Sequence, residues 1–202
     1  MSLKLWLTSR WLSGNARLSV LIDVERQTIG ALDALLEKCS PEALSGLRRA
    51  DAAPGRTVGE RRASMAAAQN GRVRALVAAM GRQEAVRAGR EALFPVGVEL
   101  GKEARKRLGV GQSAGDLEMA ATALYRALGI DFKLEKRNDG TMILRVQRCA
   151  LAGYYTDDAC EILSAADEGV VAGLNPKYSM RFEQRMTGGS VECLARITEA
   201  GK

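Results

Sequence analysis

The sequence predicts an α+β fold in which N-terminal helices pack on a β-β-α-β-β core with an antiparallel sheet. Apolar residues recur at helical spacing as far as Leu128, the period drops to two at Ile130, and two hairpin patterns then flank one further helix. Aromatic residues make up only 4% beside plentiful Ala, Leu, Arg and Gly, which favours small-residue helix packing over an aromatic-rich all-β core. At 202 residues the chain has room for one well-buried core with a helical extension. The pattern divides it into a helical region over 1–82 and an α+β ligand-binding or catalytic core over 83–202.

Near the start, Trp6, Leu7, Trp11 and Leu12 with Lys4 and Arg10 between them form an amphipathic turn, expected to pack against the chain's own helices. Leu18, Leu21, Ile22, Ile29, Leu32, Leu35 and Leu36 mark a helix from Ala16 to Lys38. Ser40-Pro41 then opens the next one, with Cys39 a structural or incidental thiol at the boundary. Residues 50–56 are a connector. Thr57-Val58-Gly59-Glu60 has capping-box spacing and starts a long helix that Gly81 ends. A further helical pattern from Gln83 to Leu108 contains Pro95, expected to kink or interrupt it because proline lacks the amide hydrogen and clashes with the preceding turn.

The Gly-rich run 109–115 lacks both a Gly-Lys-Ser/Thr ending and a preceding strand, so it reads as a linker rather than a phosphate loop. Asp116 to Leu128 is a helix stopped by Gly129. Ile130, Phe132 and Leu134 then alternate with charged residues, Asn138-Asp139-Gly140 turns, and Met142, Leu144 and Val146 return as the second strand. Thr156 caps a helix whose first turn carries Asp157 and Asp158 and which runs to about Gly173. After Asn175-Pro176 a second hairpin runs out through Tyr178, Met180 and Phe182, turns at Gly188-Gly189, and returns through Val191, Cys193, Ala195 and Ile197. That register puts Cys193 on the apolar side of the sheet.

The formal charge of +6 is concentrated in residues 1–110, with 19 Lys/Arg against 11 Asp/Glu. The arginines lie among Ala and Glu as on a solvated helix face, without a nucleic-acid motif, so no nucleic-acid partner is expected. No apolar run approaches the roughly 18 residues of a membrane span, and the N-terminus lacks a signal-peptide core. A cytoplasmic chain follows, its cysteines thiols or metal ligands rather than disulfides. The long Ala-rich helices and two tryptophans suit a homodimer through the N-terminal helices.

Three of the four cysteines fall at 149, 160 and 193 in a chain with no histidine. Without a Cys-x-x-Cys pair their spacing fits neither a zinc ribbon nor a ferredoxin, yet a strand end, a helix start and an inner strand face can converge. Three readings stand: buried small hydrophobes; ligands to zinc, iron or an iron–sulfur cluster, with Asp167 or Glu161 completing the set; or a nucleophile at Cys160. The last is disfavoured by Asp157 and Asp158 beside it and by the lack of a histidine base.

The run Cys149, Cys160-x6-Asp167-Glu168, Gly173-x-Asn175-Pro176 and Gly188-Gly189-x3-Cys193 resembles the L-2-amino-thiazoline-4-carboxylic acid hydrolase family, and more distantly the 4-vinyl-reductase-like ligand-binding domains. The resemblance covers roughly residues 85–198. It implies the fold of haem nitric-oxide-binding and vinyl-reductase-like modules, and a hydrolase that opens a thiazoline ring to N-carbamoyl-cysteine by attacking a carbon–nitrogen bond of a cyclic amidine. In that scheme a metal on Cys149, Cys160 and Cys193 polarises water, Asp167 or Glu168 moves protons, and Arg181 or Arg185 holds the substrate carboxylate. The sensor-type relatives carry a cysteine eight residues before the last one, where this chain has Arg185. The alternative implied role is a non-catalytic module binding a hydrophobic or tetrapyrrole-like molecule beside a cysteine-ligated metal.

Overall fold

A computed structural model describes residues 13–51 and 55–199. The amphipathic turn expected at Trp6, Leu7, Trp11 and Leu12 lies outside them, as do residues 52–54 of the connector. Five helices come first: α1 (Gly14–Cys39), α2 (Pro41–Ala50), α3 (Val58–Met80), α4 (Arg82–Leu108) and α5 (Ala114–Leu128). The hairpin β1 (Ile130–Lys136) and β2 (Met142–Cys149) follows, then α6 (Asp157–Leu174), β3 (Tyr178–Gln184), a short 3-10 turn at Met186–Gly188, and β4 (Cys193–Glu199).

Local chemistry sets the boundaries. Thr57 Oγ1 accepts the Glu60 N–H at 3.2 Å while Glu60 Oε2 accepts the Thr57 N–H at 3.0 Å, a complete capping box on α3. Gly81, at φ 79°, breaks the chain between α3 and α4, and Gly129, at φ 75°, stops α5 in the left-handed region. At the other end of the molecule Thr156 Oγ1 accepts the Ala159 N–H and fixes the start of α6. Pro95 does not interrupt its helix, contrary to expectation: α4 runs unbroken from Arg82 to Leu108. Pro95 and Glu91, whose carbonyl loses its helical partner, are both exposed, so solvent takes up the freed oxygen.

The four strands form one antiparallel sheet in the order β1-β2-β4-β3, with Val146 opposite Cys193 and Met180 opposite Ile197. Leu144, Val146, Ala195 and Ile197 face inward against Leu117, Ala120 and Tyr125 of α5 and Val171 and Leu174 of α6. On its other side α6 contributes Ile162 and Ala165 to a second core with Leu32 and Leu36 of α1, Val73 and Leu76 of α3, and Leu93 of α4. The helices before residue 82 therefore share a core with α6, the helix at the centre of the molecule.

The contact between α4 and α6 is backbone on backbone. A Cβ on Gly97 would lie 1.9 Å from the Ala166 carbonyl oxygen, and one on Gly169 would lie 2.1 Å from that of Phe94. With Gly101 and Gly173 extending the same seam, α6 is held close along its length, and so are the side chains it presents. Buried Arg72 adds a polar tie: its Nε lies 2.5 Å from Asp33 of α1 and its Nη2 2.8 Å from Asp51 after α2.

Candidate functional site

Between α6, the inner face of the sheet and helices α1 and α3 lies an apolar cavity of about 90 Å³. Cys149, Cys160 and Cys193 all reach it, as do Asp167 and Arg185. Cys149 arrives at the end of β2, Cys160 in the opening turns of α6, and Cys193 as the first residue of β4, where its Sγ accepts the Met186 N–H at 3.3 Å. Burial pushes all three thiols up, Cys160 to about 11 despite a hydrogen bond with Thr187, so they are protonated at neutral pH.

The expected three-cysteine metal centre is not assembled. Among the described residues, the set of three or more donor side chains within 4.8 Å of one another is Asp157, Asp158 and Glu161, which excludes the cysteines. The register explains it: Cys193 pairs with Val146, so Cys149 sits three residues further along its strand, about 10 Å away. Glu161, one of the two expected fourth ligands, belongs instead to the acidic group, which Arg82 spans with Nε 2.6 Å from Asp158 and Nη2 3.0 Å from Glu161. The residues present, in this arrangement, do not fit a single ion or a cluster held by the three thiols.

The two adjacent carboxyls expected to move protons separate by helix geometry. Asp167 lies two turns beyond Cys160 on the same face of α6 and opens onto the cavity. It has no hydrogen bond or ion pair with any described residue, and burial first, then the charge on Glu168, raises its carboxyl to about 7. Glu168 turns elsewhere and is fully engaged: Oε2 lies 2.7 Å from Arg90 Nη2, and Oε1 accepts the Phe182 N–H at 3.1 Å. It clamps α4 and β3 onto α6.

The two arginines expected at a substrate carboxylate also separate. Arg181 alternates with Met180 and Phe182, so it points to the outer face beside Ser179 and Glu183 and is exposed, away from the cavity. Arg185 reaches the cavity wall. Its Nε and Nη2 lie 3.2 and 3.0 Å from Ser164 Oγ, its guanidinium stands 5.7 Å from the Phe182 ring centroid, and it has no carboxylate partner among the described residues.

Several polar residues of the site escaped sequence reasoning. Ser164 accepts from Arg185 and also from Arg90, whose Nη1 is 3.0 Å away, and its own hydroxyl donates to the Glu161 carbonyl. Its spacing, four residues after Cys160 and three before Asp167, was a usable signal that it shares their face. Across the cavity, Tyr155 donates to Gln69 Oε1 at 2.5 Å, Gln69 donates to Thr28 Oγ1 at 2.7 Å, and Thr28 donates to the Val24 carbonyl. Nothing local in the sequence announces that chain, because its members come from α1, α3 and the loop before α6. Asn70 next to it accepts the Thr156 N–H at 3.2 Å and donates to the Tyr154 carbonyl, holding the loop that starts α6.

The site thus combines a cation without an acid partner and a carboxyl without a base partner, both among the described residues, in a mostly apolar wall. Such a pair can hold a small anion at one point and exchange a proton at another. No helix among the described residues is long and apolar enough to cross a membrane.

Among solved structures, the chain is similar to an H-NOX protein from S. oneidensis in the Fe(II)NO ligation state, with 12% identity over 87% of this chain and 99% of that one at a TM-score of 0.44. It is also similar to a trafficking protein particle complex subunit 3 from Naegleria fowleri covalently bound to palmitic acid, with 13% identity over 56% of this chain and 81% of that one, again at 0.44. No functionally curated protein shows significant sequence similarity to it. The family model for L-2-amino-thiazoline-4-carboxylic acid hydrolase matches residues 56–197, starting about one helix earlier than the 85–198 span expected from the cysteine pattern. That match runs from the capping box of α3 into β4 and takes in the three cavity cysteines, Asp167 and Arg185, so the chain belongs to the L-2-amino-thiazoline-4-carboxylic acid hydrolase family.

Proposed function

We propose that the cavity hydrolyses a small cyclic amidine of the L-2-amino-thiazoline-4-carboxylate type, with Arg185 binding the ring carboxylate and Asp167 acting as the proton carrier. The observation that carries this reading is the half-buried Asp167 carboxyl in the same cavity as the Arg185 guanidinium, neither of them with a partner of opposite charge among the described residues. A guanidinium fixed on one edge by Ser164 still offers donors to a carboxylate. A carboxyl near 7 is half ionised at neutral pH, the condition for both taking and returning a proton.

The chemistry balances with these groups alone. Ionised Asp167 takes a proton from water as its oxygen bonds to the amidine carbon between sulfur and the two nitrogens. The ring carbon–sulfur bond then breaks, its electron pair goes to sulfur, and protonated Asp167 returns the proton so that a thiol leaves. The second water proton moves to the ring nitrogen as the carbonyl forms, giving N-carbamoyl-cysteine. Both nitrogens stay in the product, so the bond broken is carbon–sulfur rather than the carbon–nitrogen bond anticipated for an amidine hydrolase. The apolar wall strengthens the Arg185 contact and keeps Asp167 basic enough for the task.

Cavity size supports a single small ring. Pockets for drug-sized ligands occupy about 300–1,000 Å³, against about 90 Å³ here, which disfavours a tetrapyrrole. A non-catalytic module for a small apolar ligand is the second reading, favoured by the scarcity of polar groups on the wall. Incubation of the purified protein with L-2-amino-thiazoline-4-carboxylate, followed by thiol release, tests the choice. Ring opening that is lost in both Asp167→Asn and Arg185→Gln is expected; no thiol from the wild-type protein removes the hydrolase reading.

A further inference from the structure

Two consecutive residues of α3 hold one tyrosine of the cavity wall, one by its backbone and one by its side chain. Asn70 takes the backbone: its Nδ2 donates to the Tyr154 carbonyl at 2.7 Å and its Oδ1 accepts the Thr156 N–H at 3.2 Å, on either side of Tyr155. Gln69 takes the side chain, accepting the Tyr155 hydroxyl at 2.5 Å. Gln69 and Thr28 are each 1% exposed, and both line the cavity together with Tyr155.

The direction of the chain from Tyr155 through Gln69 to Thr28 is set at its far end. Thr28 Oγ1 lies 2.7 Å from the Val24 carbonyl, which can only accept, so the single hydroxyl proton of Thr28 is committed there. Thr28 must then accept from Gln69, which turns the amide so that its NH2 faces Thr28 and its oxygen faces Tyr155. A reversed amide would require Thr28 to donate twice. Tyr155 in turn gives its own proton to Gln69. Burial first, then the charge on Asp167, raises its pKa well above the usual value, so the hydroxyl stays protonated near neutral pH. The Tyr155 oxygen retains lone pairs, and no described residue donates to it. Towards a ligand it is therefore an acceptor. Elsewhere on the wall, Ser164 already accepts from two arginines.

We propose that Tyr155 is the specificity-determining residue for the amino-substituted ring: its oxygen, held as an acceptor by Gln69 and Thr28, receives an N–H of the ligand's exocyclic amino group while Arg185 holds the carboxylate. A ring with an alkyl group in that place leaves the oxygen unpaired in a mostly apolar wall, which weakens binding. The proposal rests on the reading of the cavity as the site of a carboxylated cyclic amidine, and it assigns the group that tells the amidine from its carbon isostere.

Isothermal titration of the full chain with 2-aminothiazole-4-carboxylate and 2-methylthiazole-4-carboxylate tests it, since these aromatic rings have nearly the same shape and resist ring opening. The wild-type protein is expected to bind the amino ring at least about fivefold more tightly, the scale of one unpaired buried polar group. Tyr155→Phe is expected to abolish that ratio by weakening the amino ring alone; its retained affinity for the methyl ring shows that the variant folds. Thr28→Val keeps the shape of residue 28 but frees the amide of Gln69 to turn, and is expected to lower the ratio, whereas a merely structural role would change both affinities alike. Equal binding of the two rings by the wild type, or a ratio that survives Tyr155→Phe, overturns the assignment of Tyr155, and a ratio unmoved by Thr28→Val overturns the fixed direction of the chain. Arg185→Gln is expected to weaken both rings by a similar factor. If both rings bind equally and Arg185→Gln weakens both, the Tyr155 assignment alone fails; if the wild type binds neither ring, the reading of the cavity fails with it.

Discussion

Arg185 rests two of its nitrogens, Nε and Nη2, on the single hydroxyl oxygen of Ser164, which Arg90 also reaches from α4. One serine on the central helix therefore sets the position of the site's cation without neutralising it. Ser164→Ala is expected to raise KM for a carboxylate substrate at least about tenfold, the scale of one hydrogen bond to a charged group, with kcat little changed. Ser164→Thr, which keeps the hydroxyl, should restore most of the loss. A parallel fall in kcat and no change in KM would show that Ser164 does not act through Arg185.

Glu168 and Asp167 are neighbours in sequence with opposite duties. Glu168→Gln weakens the Arg90 pair and the tie to the Phe182 amide, so denaturant unfolding should show a loss of about 2–3 kcal/mol. The pH limb of any activity should stay where it is in the wild type, because the carboxyl that faces the cavity is untouched. A shifted limb with unaltered stability would reverse the two assignments.

Asp167 also makes stability depend on pH in a direction opposite to that of a salt-bridged carboxylate. Its folded pKa, about 7, lies above the ordinary 3.8. The unfolded chain therefore ionises first as pH rises, and the folded state loses about 1.4 kcal/mol for each pH unit between the two values before levelling off. Paired unfolding curves at several pH values should show this decline between about pH 4 and 7 in the wild type relative to Asp167→Asn. Identical slopes for the two proteins would place Asp167 in contact with water.

The α4–α6 seam predicts a contrast between glycines. Gly97→Ala and Gly169→Ala drive a Cβ into a facing carbonyl oxygen, at 1.9 and 2.1 Å in the native backbone, and should cost at least about 3 kcal/mol. Gly46, mid-helix in α2 with nothing within 4 Å, should gain up to about 1 kcal/mol on changing to Ala. Thermal melts of the three variants check both signs.

Much of this architecture was legible from local rules. Thr57-Glu60, Gly129 and Thr156 announced helix ends, and the period-two runs at Ile130 and Met142 announced the first hairpin, because caps and alternation act within a few residues. The inward face of Cys193 followed from the same alternation. The geometry that defines the site did not, since Cys149 and Cys193 are related by strand register and Cys160 by helix packing, and spacing alone cannot say how close three thiols come. Alternation in β3 sends Arg181 away from the side that Met180 and Phe182 occupy, so the outward direction of Arg181 was legible in the sequence. The unbroken helix at Pro95 was not legible for a related reason: whether a helix survives a proline depends on whether the freed carbonyl faces solvent, and burial is a tertiary property.

The central claim is that Asp167 is the ionisable group on which turnover depends, and the pH dependence of kcat/KM for ring opening tests it most directly. The wild-type protein should lose activity on the acid side of a pKa near 7, while Asp167→Asn should be inactive across the range with its fold intact. Comparable turnover by Asp167→Asn, with the same acid limb as the wild type, would contradict it.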